Sequence, residues 1–419
     1  MRNLKLEELS TEQKIGMLLC ARSFNYSDEN DVEYTLELIR NHSLGCVQVP
    51  FRKPDVVKKI LETADYPIIM VLDMEMGFPT SKLPPIPMMT LAACNKPEYY
   101  RAFARAVVAD AKAAGCNANW GPVIDILDDD GPAKVYRNFS DDPQRVAEAA
   151  AEIAQVFANN HFMSCGKHYP GGDGSGMDSH MTGSPCYATK EELLNNKFVP
   201  YKYLMERGLL PSIMSGHKTM ANIDPDYPAS FSKKVIDLIR QEGFDGVCFT
   251  DSFGMMAILQ EFGEDKILGL AVAAGNDIVL PNYRRPTKDH YQWLLQNYRD
   301  GLFSEERLNE AVRRVLALQA YVGEQPEQPD LFTEKDRELY YAIAKDCITA
   351  VNDPGVDAAL DPDNKDRLFV VVTESNTAAD ELAQEMITHE VSFKDAVSMY
   401  EMLMADRSKA LSVLIDWED

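Results

Sequence analysis

Short apolar or β-branched runs recur along the first three quarters of the chain, each followed by a longer helical pattern. They are Cys46 to Val49, Ile68 to Leu72, Met163 to Gly166, Ser212 to Met214, Val247 to Thr250 and Asp277 to Leu280. Apolar runs alternating with helices predict a parallel sheet buried on both faces. Helix punctuation agrees: Asn95 precedes Pro97 in a stretch closed by Gly115, and Asp142-Pro143 opens another that runs to Asn160. These units fill residues 1–322, which suits an α/β fold of the (β/α)8 TIM-type barrel kind with insertions, a doubly wound sheet being the runner-up.

The rhythm breaks at GEQPEQPD, residues 323–330, whose two prolines and acidic residues read as a linker. Residues 331–419 then predict a small α/β C-terminal domain: a helix around Glu338 to Ala350, a strand Leu368 to Val372, a helix Ala378 to Ile387 and a strand Leu411 to Ile415. So few elements make a marginal core, so this domain is expected to lean on the larger one.

Composition narrows the class. With 419 residues, 45% of them hydrophobic and 26% charged, the chain is an ordinary globular protein. A formal net charge of −24 repels phosphate backbones and anionic lipid, so neither nucleic acid nor a membrane is an expected partner. The eight cysteines (Cys20, Cys46, Cys94, Cys116, Cys165, Cys186, Cys248 and Cys347) include no CxxC pair and several lie in apolar runs. Buried free thiols in a reducing compartment are expected. The N-terminal residues MRNLKLEELSTEQKIGMLL lack the apolar core of a signal peptide, which makes the cytoplasm the expected location, with a monomer or homodimer as the assembly.

In a parallel barrel the chemistry collects at the C-terminal ends of the strands. Polar residues just after apolar runs are Asp73, the pair Lys167 and His168, His217 and Asp251. Any one could merely cap the sheet; as a set they mark a site. A carboxylate there needs charged or hydrogen-bonding company, which makes Asp251 a candidate nucleophile or ligand. The His and Cys grouping of a zinc site and the carboxylate grouping of a magnesium site are both missing, so no metal and no cofactor are expected. The segment KHYPGGDGSGMDSHMT, Lys167 to Thr182, is rich in glycine, as a segment that moves over a substrate would be. It ends in Asp178 and His180, a spacing that lets a carboxylate orient an imidazole able to give and take a proton near neutrality.

Taken in order, LSTEQKIGMLL, VLDMEMG (Val71 to Gly77), NANWGPVIDI (Asn117 to Ile126), YRNFSDDP (Tyr136 to Pro143), the Lys167 to His180 loop, PASFSKKVIDLIRQEGFDGVCFTDSFGM (Pro228 to Met255) and AVAAGNDIVL (Ala271 to Leu280) resemble glycoside hydrolase family 3. Within that family they are most similar to the branch of the bacterial β-N-acetylhexosaminidases. The resemblance implies a (β/α)8 barrel, sometimes followed by an α/β domain, and retaining hydrolysis of β-linked N-acetylhexosamines. It places Asp251 as nucleophile, Asp178 and His180 as the acid/base dyad, and Asp73, Arg137, Lys167 and His168 as ligands of the sugar hydroxyls, with His217 lining the pocket. A small carbohydrate would be the partner. Three alternatives stay open: an N-acetylglucosaminide phosphorylase using the same dyad, a family 3 β-glucosidase, and an inactive sugar-binding barrel. The family's P-G-H-G-D run reads Pro170-Gly171-Gly172-Asp173 here, the arginine-bearing segment after VLDMEMG is replaced by Phe78 to Lys82, and the C-terminal part is shorter than the family's second domain, as in a truncated or vestigial one.

Overall fold

The computed structural model describes residues 1–22, 28–127, 135–171, 185–254, 262–347, 389–392 and 413–416. The chain divides into two compact units: Met1–Ser81 with Pro85–Ile348, and Lys82–Pro84 with Thr349–Asp419.

The first unit contains, in chain order, β1 (Cys20–Ala21), β2 (Cys46–Gln48), β3 (Ile69–Leu72), β4 (Ala118–Asn119), β5 (Cys165–Tyr169), β6 (Pro185–Cys186), β7 (Ser212–Ser215), β8 (Thr219–Met220), β9 (Val247–Ser252) and β10 (Ile278–Leu280). Two four-stranded sheets form, β1-β2-β3-β4 and β10-β9-β7-β5, and all their pairings are parallel. Isolated parallel bridges join Leu19 to Val279 and Ala118 to Met163, residues at the edges of the two sheets. Val279 N–H donates to Leu18 O, and Asn119 N–H to Met163 O, both at 2.9 Å. Separately, β6 and β8 form a two-stranded parallel ladder. This is an α/β fold with parallel sheets, in which β3 and β7 are buried at every position, as strands covered on both faces must be.

Helices fill the connections and present apolar stripes inward. Pro97–Ala113 buries Tyr99, Phe103, Val107 and Ala111, and Pro143–Asn159 buries Val146, Ala150, Ile153 and Phe157. Asp142 caps the second of these by accepting from the N–H groups of Gln144 and Arg145, just ahead of Pro143. Asn95 does not open a helix; at φ 47° it ends Met88–Cys94 in the left-handed conformation, and Lys96 precedes the next helix. Two glycines are required by contact: a Cβ on Gly16 would lie 1.9 Å from Ser43 O, and one on Gly45 2.0 Å from Met17 O.

The elements differ from expectation in instructive places. β5 begins at Cys165 and runs to Tyr169, so Lys167 and His168 lie within the strand. The two-residue strands β1 and β4 are too short to leave a periodic signature. Asp277 precedes β10 and is fully buried, where it accepts from Arg240 Nη2 at 2.7 Å, Cys248 N–H at 2.9 Å, Arg307, and Arg314 at 3.4 Å.

After helix Glu305–Gly323 the proline-containing stretch leads into helix Glu334–Asp346, capped by Thr333 and Asp336. That helix belongs to the first compact unit. Its Tyr340 stacks on Phe103, and Arg105 donates to both Asp330 (2.5 Å) and Asp336 (2.8 Å). In the second unit β11 (His389–Ser392) pairs in parallel with β12 (Val413–Asp416). The expected last strand is β12, displaced by two residues at its start; the expected strand Leu368 to Val372 and helix Ala378 to Ile387 lie outside the described residues.

Candidate active site

Successive strand ends deliver the chemistry. Asp73 and Glu75 follow β3, Asp125 lies beyond β4, Lys167 and His168 sit in β5, His217 follows β7 and Asp251 is the fifth residue of β9. Two linked clusters result.

The first gathers cations around Glu75. Lys167, only 2% exposed, places its ammonium 2.7 Å from Asp73 Oδ1 and 2.6 Å from Glu75 Oε1. Arg137 grips the same carboxylate with two hydrogen bonds, Nε to Oε2 at 2.6 Å and Nη2 to Oε1 at 2.7 Å. Burial alone would raise the Glu75 carboxyl, but Lys167 and Arg137 outweigh it and hold the group well below the usual carboxylate range. Burial likewise opposes charge on Lys167, yet Asp73 and Glu75 keep its ammonium above the usual lysine range.

The second cluster centres on His168. Its backbone N–H donates to Asp125 Oδ1 at 2.9 Å and its Nδ1 lies 2.7 Å from Asp125 Oδ2. The other ring nitrogen, Nε2, is 3.4 Å from Arg137 Nη2 and 3.9 Å from Asp251 Oδ2. Asp251 Oδ1 accepts the Ser252 N–H at 2.6 Å. Burial pushes the Asp251 carboxyl up, but His168, His217, the Ser252 N–H and Lys167 together bring it down to about 2, so it is anionic at neutral pH. His217 stands beneath this turn: Nδ1 is 2.9 Å from Ser230 Oγ, Nε2 is 3.1 Å from the Ser252 carbonyl oxygen, and the ring stacks on Phe253.

Asp73, Arg137, Lys167, His168 and Asp251 are thus brought together, whereas both ring nitrogens of His217 are engaged within the protein. Asp178 and His180 lie outside the described residues. Glu75 and Asp125 are the members that sequence reasoning passed over. Both stand inside quoted motifs, Glu75 two residues after Asp73 in VLDMEMG and Asp125 in NANWGPVIDI; the available signal was a second carboxylate near each basic residue of a single mouth. Among the described residues no group of three or more His, Cys, Asp or Glu is arranged to hold a metal ion.

Residues 11–318 match the model of the glycosyl hydrolase family 3 N-terminal domain. The chain belongs to this family. Among curated relatives, it is 27% identical over 338 residues to a beta-N-acetylglucosaminidase/beta-glucosidase of Cellulomonas fimi, covering 76% of this chain and 59% of that protein. It is 33% identical over 178 residues to a beta-hexosaminidase of Bordetella avium strain 197N, covering 42% of this chain and 50% of the relative. The chain therefore spans about half to three fifths of the length of these two relatives. Among solved structures, a glycoside hydrolase family 3 beta-N-acetylglucosaminidase from Paenibacillus sp. str. FPU-7 superposes with a TM-score of 0.79 at 23% identity, covering 97% of this chain and 84% of that one, a likeness of fold.

Proposed function

We propose that the protein is a retaining glycoside hydrolase that releases β-linked terminal N-acetylhexosamine through a covalent glycosyl-enzyme on Asp251. The observation that carries this reading is the state of that carboxylate. Glu75 and Asp125 have both oxygens committed to hydrogen bonds, and Asp73 is paired with Lys167. Asp251, ionised at neutral pH, alone of the four makes no hydrogen bond to another side chain among the described residues, and its Oδ2 has His168 at 3.9 Å as its ion partner. An anionic oxygen not tied up by a donor is what attack on an anomeric carbon requires.

Asp178 and His180 supply the acid and base: the imidazole protonates the leaving oxygen and then takes a proton from the water that opens the intermediate, while Asp178 orients it. Asp73, Arg137, Lys167 and His168 hold the sugar hydroxyls, and His217 acts through the Ser252 carbonyl that it supports. The relatives' names, a beta-N-acetylglucosaminidase/beta-glucosidase and a beta-hexosaminidase, support the N-acetyl sugar. The two sheets are read as halves of one closed eight-stranded barrel, which the bridges Leu19 to Val279 and Ala118 to Met163 support.

The test is a slow fluorinated N-acetylglucosaminyl substrate followed by peptide mass spectrometry. A sugar adduct on the peptide containing Asp251, and its loss in Asp251→Asn, are expected. An adduct on another carboxylate, or no adduct while the glycoside is cleaved, refutes the assignment.

A further inference from the structure

His168 joins the cationic cluster to the nucleophile, and what fixes His168 is Asp125. The Asp125 side chain lies in a residue only 5% exposed and spends both oxygens on one partner, Oδ1 on the His168 backbone N–H and Oδ2 on the ring Nδ1. Burial raises the Asp125 carboxyl, but the His168 ring, its hydrogen bonds and Lys218 outweigh burial and hold it below the usual carboxylate range. An ionised carboxylate can only accept, so Nδ1 carries a proton in every state of the ring. Nε2 is then the nitrogen that changes. In the neutral ring it is a lone pair facing the Arg137 Nη2 donor at 3.4 Å; in the protonated ring it is an N–H facing Asp251 at 3.9 Å. That distance exceeds a hydrogen bond, so the Nε2–H of the protonated ring is left to donate to a sugar hydroxyl.

We propose that Asp125 is a positioning residue for the reaction: by fixing the Nδ1–H tautomer of His168 it makes Nε2 the nitrogen offered to the bound sugar and to Asp251. The proposal rests on Asp251 being the nucleophile. The charged or titratable groups that face the ring or its two carboxylates are Asp125, Asp251, Arg137, Lys167, Lys218 and His217.

Asp125→Asn keeps the shape and removes one acceptor. The backbone N–H of His168 cannot relocate, so the amide oxygen takes it and the amide nitrogen turns to Nδ1, driving the ring proton to Nε2. Replacing an orienting carboxylate in this way leaves geometry but imposes the wrong tautomer. The experiment is ¹⁵N NMR of histidine-labelled full-length protein, with His168 assigned by His168→Gln, alongside kinetics on an aryl N-acetylglucosaminide. Expected in the wild type is a protonated Nδ1 throughout about pH 5 to 9. Expected in Asp125→Asn is a proton on Nε2 and a kcat lower by on the order of 10²-fold, the upper end for an outer carboxylate that orients an imidazole, with KM changed far less.

A wild-type ring without a proton on Nδ1 overturns the proposal, even if the variant fails to fold. So does a switched tautomer with unchanged kcat. Mapping the fluoro-sugar adduct separately decides whether Asp251 is the nucleophile, so a failure of that reading is distinguishable from a failure of this one.

Discussion

Replacing Glu75 with glutamine keeps volume and removes one charge from a carboxylate that accepts three short contacts, at 2.6 Å and 2.7 Å from Arg137 and 2.6 Å from Lys167. An amide can accept with its oxygen, but its nitrogen must then point at a guanidinium or an ammonium donor. Among the described residues Lys167 keeps Asp73, while Arg137 keeps the weak contact to His168 and competes with Lys167 for the single amide oxygen. Disrupting a buried charge pair from one side costs about 3 to 5 kcal/mol, so Glu75→Gln is expected to lower unfolding free energy by that amount at neutral pH. The pH dependence gives a sharper check. Glu75 is held below its ordinary value in the folded protein, so the native state binds fewer protons here than the unfolded chain. Its contribution is complete above the unfolded glutamate value of about 4.3 and fades as pH falls toward the folded value. Urea unfolding of both proteins should show a constant gap from about pH 8 to 5 that narrows below about pH 4, the other carboxylates cancelling in the difference. A neutral-pH gap under about 1 kcal/mol, the size of an exposed pair, would refute the reasoning. So would a gap that stays constant down to acid pH.

Three further outcomes are expected. His180→Ala should slow glycosides with poor leaving groups far more than activated aryl glycosides, because only the former need protonation; equal losses would remove His180 from the acid role. Asp277→Asn should destabilise by about 3 to 5 kcal/mol in urea, since it leaves three arginines around a fully buried uncharged group; a loss under about 1 kcal/mol would mean that Glu310 and the backbone carbonyls suffice for them. If the two sheets close into one barrel, the amides of Val279, Asn119 and Met163 at the seams should exchange with deuterium as slowly as those of central β7; exchange typical of open edges would contradict closure.

The strands that could be read from the sequence, β2, β3, β7, β9 and β10, are those of three or more residues built around an apolar stretch, as a parallel sheet buried on both faces favours. β1 and β4 escaped because two residues carry no period. β11, with sequence HEVS, escaped because three of its four residues are polar. In the site, Asp73, Lys167, His168 and Asp251 were legible through one rule, that polar residues toward the C-terminal ends of parallel strands gather at one edge of the sheets. Asp125 obeys no such rule. It lies six residues past β4 and is carried back to β5 by the backbone hydrogen bond from Ile124 N–H to Lys167 O, a tertiary event that local sequence does not announce. Glu75 was overlooked for a different reason: its value comes from Arg137 and Lys167, 62 and 92 positions away, which only the fold brings to it. His217, which the resemblance places in the pocket lining, has its ring nitrogens 2.9 Å from Ser230 Oγ and 3.1 Å from the Ser252 carbonyl oxygen.

The four carboxylates at this mouth also explain how residues of one chemical type divide into different tasks. Glu75, Asp125 and Asp251 are each held below the usual carboxylate range by neighbours that outweigh burial, yet the neighbours differ in reach. Glu75 and Asp125 are satisfied on both oxygens, so their charge is spent inside the protein on fixing Arg137, Lys167 and His168; neither can approach a substrate atom without abandoning its partners. Asp73 shares Lys167 with Glu75 while its side chain remains 47% exposed, which suits contact with ligand hydroxyls rather than attack. Asp251 obtains its charge differently, from His168 at 3.9 Å, from His217 and from one backbone N–H, none of which covers Oδ2 within hydrogen-bond distance. Its Oδ1 takes the Ser252 N–H, while Oδ2 has His168 at 3.9 Å as its ion partner among the described residues. On the function proposed above, the pair of Asp125 and His168 serves the chemistry of Asp251 as well as the fold, because its Nδ1 contact to Asp125 leaves Nε2 on the Asp251 side.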